Sequence, residues 1–143
     1  MATATTEAPI TVRESRTGVG SAIATVAATS VIGNAIVWAI GRGAGADFHV
    51  ARPGQSAMTV NLPMVIGTTL LPVVIGGLLL WWAARRTARG PRVLAWLGLA
   101  VGIVTVGAPF SMEALNSTRM SLAAMHILTG LVWWLAVRRV PTR

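Results

Sequence analysis

The sequence predicts an all-α fold, a bundle of four transmembrane helices with both termini cytoplasmic. Three observations lead there. Four apolar stretches, residues 20–40, 61–84, 93–109 and 118–137, each approach the length that crosses a hydrocarbon core at about 1.5 Å per residue. Only 11% of the 143 residues are charged while 54% are apolar, whereas a soluble domain carries about a quarter charged residues. So little charge cannot cover a globule in water, which makes lipid the solvent for much of the surface. The connections between the apolar stretches are rich in Gly, Pro and Arg.

Residues 1–19 are polar and of mixed charge, with Glu7, Arg13, Glu14 and Arg16. Without apolar periodicity they are expected to form a flexible cytoplasmic tail, leaving residues 20–140 as the transmembrane domain. The first apolar stretch has 21 residues, longer than the apolar core of about 7–15 residues in a signal peptide, and is expected to be an uncleaved helix. Gly41, Gly43, Gly45, Pro53 and Gly54 then forbid a long helix over 41–60, where Phe48, His49 and Val50 are expected to be briefly extended. In the second stretch Pro63 falls in the first turn, where its missing N–H costs nothing. Pro72 falls inside, where it should kink the helix and free the Thr68 carbonyl. A short basic connection over 85–92 leads to the third stretch, the shortest at 17 residues. A polar loop over 110–117 precedes the fourth, which Asn116 or Ser117 should cap.

Every basic residue is arginine, and the net charge is +8. The arginines sit at the ends of apolar stretches rather than on one soluble face, so the charge orients helices and does not indicate nucleic-acid binding. With cytoplasmic termini the inside holds Arg13, Arg16, Arg85, Arg86, Arg89, Arg92, Arg138, Arg139 and Arg143. The outside holds only Arg42, Arg52 and Arg119. Trp81, Trp82, Trp96, Trp133 and Trp134 fall at the same inner ends, and Trp38 near the outer one, as indoles at a membrane interface do. Arginine without lysine, beside abundant Ala, Gly and Val, points to a GC-rich bacterial genome.

His126 is the one ionisable side chain expected at membrane depth, about 12 Å below the outer surface. Such a residue is a functional candidate; the plainer reading is a neutral imidazole satisfied by a neighbouring helix. Asn34, Thr68 and Thr69 lie at similar depth and Thr105 somewhat shallower, so these five residues define an expected polar layer. In this layer Asn34, Thr68 and Thr69 are the expected partners of His126. At the outer mouth, Glu113 and Arg119 are expected to pair, and Asp47, His49 and Arg52 form a second, solvated cluster with too few ligands for a metal. Gly98 and Gly102 make a GxxxG, and Ser21, Thr25, Thr29 and Gly33 a stripe of small residues; both allow close helix packing, within the bundle or between protomers. Met112, Met120 and Met125 are expected to fill gaps. The arginines of 85–92 could also touch anionic headgroups.

Several chemistries are disfavoured. Cysteine is absent, which removes disulfides and thiolate ligands. A bis-histidine haem needs two facing intramembrane histidines, no paired acids occur in the helices, and no Gly-rich loop has the P-loop pattern. The expectation is a protein without a cofactor and not an enzyme, a structural or accessory membrane component. The alternative is a small transporter or channel using the polar layer around His126 and Asn34. The expected partners are the lipid bilayer and either a second copy or another membrane protein, in the plasma or inner membrane.

Three motifs carry a resemblance. A Gly-rich turn leads through Asp47 to Arg52 and Pro53; an Arg-rich turn spans 85–92; Pro109 is followed by Thr118, Arg119 and a small-residue helix containing Met125 and His126. In this order of features the chain resembles small four-helix membrane proteins of actinobacteria classed as a domain of unknown function, over about residues 20–140. The resemblance implies the fold and a membrane location, and brings no activity or cofactor.

The arginine distribution generates the first prediction. A topology reporter fused after Arg143 should be active only on the cytoplasmic side; activity confined to the outside would reverse the orientation.

Overall fold

The computed structural model of the chain describes residues 10–141, with side chains from Gly18 onward. Four long helices dominate: α1 (Ile10–Gly43), α2 (Leu62–Arg86), α3 (Gly90–Val104) and α4 (Asn116–Val137). A 3-10 helix, Thr105–Ser111, prolongs α3. Between α1 and α2 a small antiparallel hairpin pairs β1 (His49–Val50) with β2 (Met58–Thr59), in the register His49 with Thr59 and Val50 with Met58. Four stretches, Gly18–Gly43, Leu62–Arg86, Gly90–Ser111 and Asn116–Val137, are long and apolar enough to cross a membrane. Each helix packs mainly on its two neighbours in the cyclic order α1, α2, α3, α4.

The helix boundaries differ from expectation where local chemistry intervenes. Residues 10–19, expected in a flexible tail, already belong to α1. No Gly or Pro interrupts residues 10–17, and extending an existing helix is far easier than nucleating one; residues 1–9 lie outside the described part. The third helix stops being α-helical at Val104, short of the expected Pro109. Proline has no N–H for the Thr105 carbonyl and its ring crowds that carbonyl, so the last turns tighten into the 3-10 form. Asn61 caps α2, its side-chain oxygen accepting the Met64 amide at 3.0 Å, and the helix continues through Pro72 to Arg86. The expected cap of α4 by Asn116 or Ser117 does not form. Leu115 occupies the cap position without a side-chain bond, and both residues lie inside the helix.

The interior holds two apolar clusters. Towards the arginine-rich end lie Val19, Val26, Val73, Leu80, Ala95, Trp133 and Val137; towards the hairpin end lie Phe48, Val50, Val60, Val65 and Met125. The outward faces are as apolar as the interior: Ile32, Leu71, Leu78 and Val104 are all more than half exposed. That pattern suits acyl chains and not water.

The close contacts are made by glycines. Gly102 of α3 meets Gly130 of α4 so tightly that a Cβ on Gly102 would lie 2.8 Å from the Gly130 Cα and 3.0 Å from the His126 carbonyl oxygen. Gly98 and Gly76 receive the two sides of the Trp133 ring, and the Trp133 indole N–H donates to the Leu94 carbonyl at 2.8 Å. The GxxxG therefore packs within the bundle. Trp133 itself is 7% exposed, a core residue and not the interfacial one expected from its place near a helix end. In α1, Gly33 packs on Leu128, while Ser21, Thr25 and Thr29 face outward.

These contacts predict opposite outcomes for two alanine substitutions. Gly102→Ala should cost about 1–3 kcal/mol, because backbone and not a flexible side chain opposes the new methyl. Gly67→Ala, with nothing within 4 Å of its added Cβ, should be neutral or stabilise by up to about 1 kcal/mol through helix propensity. Thermal unfolding of both variants in detergent measures the difference.

Candidate functional site

The polar layer lies between the two apolar clusters, but its membership differs from expectation. Asn34 of α1 donates from Nδ2 to Thr69 Oγ1 of α2 at 2.9 Å and to Thr129 Oγ1 of α4 at 3.0 Å. One amide thus ties three helices together. The Thr69 hydroxyl passes its own proton to the Val65 carbonyl at 2.7 Å. Ser30 stands one turn before Asn34 on the same face of α1. Ser30 Oγ and Asn34 Oδ1 are both buried without a hydrogen-bond partner.

His126 is not part of this cluster. Its Nδ1 lies 2.9 Å from Thr105 Oγ1, at the junction of α3 and the 3-10 helix. The Thr105 hydroxyl is also 2.7 Å from the Val101 carbonyl. A hydroxyl has one proton, so Thr105 donates either to the Val101 carbonyl or to Nδ1 of His126, and the imidazole tautomer sets which. The expectation that His126 meets a neighbouring helix is met, but by Thr105 and not by Asn34, Thr68 or Thr69. Depth along a helix can be counted from sequence; direction around it depends on packing. About 60° around α4 separates His126 from Thr129, and Thr129 takes the side that faces α1. Thr68 turns outward, its hydroxyl donating to the Met64 carbonyl at 2.7 Å, and does not belong to the layer.

At the hairpin end the loops close over the bundle. Phe48 is fully buried, at φ +56°. A side chain other than glycine seldom adopts that left-handed region, and holding it there costs about 1–3 kcal/mol. Its ring tilts against Trp38 at 5.8 Å and against the last turn of α1, where a Cβ on Gly41 would approach it to 2.9 Å. Thr118, fully buried at the start of α4, accepts the Phe48 amide at 3.1 Å and donates to Asp47 Oδ1 at 3.0 Å. The same carboxylate oxygen accepts the His49 amide at 3.0 Å, and Arg42 donates to the Asp47 carbonyl at 3.2 Å.

Among the residues expected at the outer mouth, Asp47 and His49 do come together, with 3.7 Å between Oδ2 and Nδ1. Asp47 is more than a member of a solvated loop, because it anchors the hairpin to α4. Glu113 and Arg119 do not form the expected ion pair. Glu113 exchanges backbone hydrogen bonds with Ala51, at 3.0 and 2.8 Å, which sews the α1–α2 and α3–α4 loops together. Arg119 folds back to donate two bonds to the Met112 carbonyl, at 2.8 and 3.1 Å. Arg52 is exposed and contributes only its carbonyl, to a turn with Gln55. Sequence reasoning missed Ser30, Thr129 and Thr118. Spacing was the available signal for the first two: Ser30 is four residues from Asn34, and Thr129 three from His126, within one turn of each.

Four apolar spans and polar side chains that bond from helix to helix define a multi-pass helical membrane protein. Over residues 12–143 the sequence matches a family of unknown function, DUF6069, and the chain belongs to that family. No curated protein and no solved structure matches it.

The hairpin anchor should be acid-sensitive. The His49 amide bond, aided by the Thr118 hydroxyl and the neighbouring His49 ring and opposed by partial desolvation, holds the Asp47 carboxyl below its ordinary value of 3.8. The native state then binds fewer protons than the unfolded chain, so this contribution is complete above about that pH and is lost as pH falls through the lower native value. Thermal unfolding below pH 4 should show this loss, and Asp47→Asn should remove Asp47's share of the pH dependence while keeping an oxygen acceptor for the same two donors.

Proposed function

We propose that this protein is a structural or accessory component of an actinobacterial plasma membrane, without enzymatic activity. Both termini are cytoplasmic, and it works within the bilayer beside a second copy or another membrane protein. The observation that supports this reading is the use made of the polar side chains inside the spans. Asn34 bonds to Thr69 and Thr129, and His126 to Thr105, so the groups that could have served a substrate join helices to one another. Interhelical bonds of this kind contribute about 0.6–2 kcal/mol each and fix which faces meet.

A second reading, a small transporter or channel, is favoured by one observation: Ser30 Oγ and Asn34 Oδ1 are buried acceptors with no protein partner, and such atoms can receive a permeating cation or water. One experiment separates the two. For a structural component, proteoliposomes should show no more proton or sodium flux than protein-free vesicles. His126→Gln should then fold normally, and His126→Leu should lose about 1–2 kcal/mol of stability. Flux that Ser30→Ala or Asn34→Leu abolishes, in protein that still folds, would overturn the structural reading in favour of transport.

A further inference from the structure

The arginine-rich end of the bundle carries a cluster of tryptophans and arginines on the α3–α4 seam. Trp96 of α3 and Trp134 of α4 lie against each other, with ring centroids 5.3 Å apart and planes tilted by 56°. Arg138, one turn beyond Trp134, stacks over it at 4.1 Å. Arg92 stands one turn before Trp96 on the same face of α3 and is exposed. Arg138 therefore stacks on this aromatic pair from α4, and Arg92 shares the Trp96 face of α3. Neither makes a side-chain hydrogen bond or ion pair with any described residue. Of the four carboxylates in the chain, Asp47 and Glu113 lie at the opposite end, and Glu7 and Glu14 fall outside the described side chains. Along the same faces towards the membrane centre, Ile103 of α3 and Ile127 and Leu131 of α4 are exposed.

We propose that the α3–α4 seam binds the headgroup phosphate of an anionic phospholipid between Arg92 and Arg138, with its acyl chains on Trp96, Ile103, Ile127 and Leu131. The chemistry selects this occupant. Guanidinium groups donate paired hydrogen bonds that match phosphate oxygens. Stacking on indole holds the Arg138 plane in place and supports its charge. A free phosphate would satisfy the arginines but would leave the exposed apolar strip below them without a use, whereas a lipid covers both. Arg85 over Trp81 at 3.6 Å and Arg86 over Trp82 at 5.5 Å repeat the arrangement on α2, but without a second aromatic-bearing helix facing them.

Native mass spectrometry of the full chain in detergent, with phosphatidylglycerol or phosphatidylcholine added, tests the assignment. Unaltered protein should retain phosphatidylglycerol in preference to phosphatidylcholine, a comparison that needs no variant to fold. Each of Arg92→Gln and Arg138→Gln should weaken retention roughly fivefold, and the two together about thirtyfold. Arg52→Gln, at the other end, should change nothing. Equal retention of the two lipids, or undiminished phosphatidylglycerol binding by a double variant of unchanged helix content, would refute the site. Displacement of the lipid by inorganic phosphate would assign the arginines to a soluble anion and refute the lipid.

Discussion

The bundle depends on one close approach, that of α3 to α4. In lipid there is little hydrophobic force between helices, because an acyl chain is as apolar as leucine; association rests on packing and hydrogen bonds. Gly102 and Gly130 supply the packing by letting two backbones touch. Trp133 then fills the space that the neighbouring glycines leave. Its ring reaches from α4 to Gly98 of α3 and across the bundle to Gly76 of α2, and its N–H is satisfied at the Leu94 carbonyl. A large rigid side chain buried among three helices sets their spacing, and the glycines set the spaces that it fits.

On that frame the polar contacts act as register marks. Asn34 can reach Thr69 and Thr129 together in only one alignment of α1, α2 and α4. A slip of one residue along any of them would leave buried donors unmet, which is costly away from water. The layer falls between two apolar clusters, which close it off along the bundle axis. The unpaired oxygens of Ser30 and Asn34 are the exception, and they mark where the interior is least well satisfied by the protein itself.

The hairpin end is held by a different device. Phe48 is forced into a left-handed conformation by its position between the Trp38 ring, the end of α1 and the start of α4, and the backbone strain is offset by burial of the ring and by the Thr118 bond to its amide. Asp47 and Thr118 couple the hairpin to α4, and Glu113 couples it through backbone to the loop before α4. The loops at the hairpin end thus belong to the folded unit.

The four long apolar helices and the all-α class were legible in the chain, because helix rise and hydrocarbon thickness are fixed lengths and charge is excluded from the spans. The glycines of α3 were also recognisable as a packing face. Azimuth was not legible. His126 and Asn34 share a depth, yet their partners differ because each helix is rotated by contacts that involve residues far apart in sequence, such as Gly102 with Gly130. The same cause moved Trp133 from the interface to the core and turned Thr68 outward. The ion pair expected between Glu113 and Arg119 gave way to backbone bonding for the same reason: nearness along the chain says little about which acceptor a side chain will find once the loops pack together. Sequence alone determined what could enter the membrane; only the tertiary structure decided which side chains meet there.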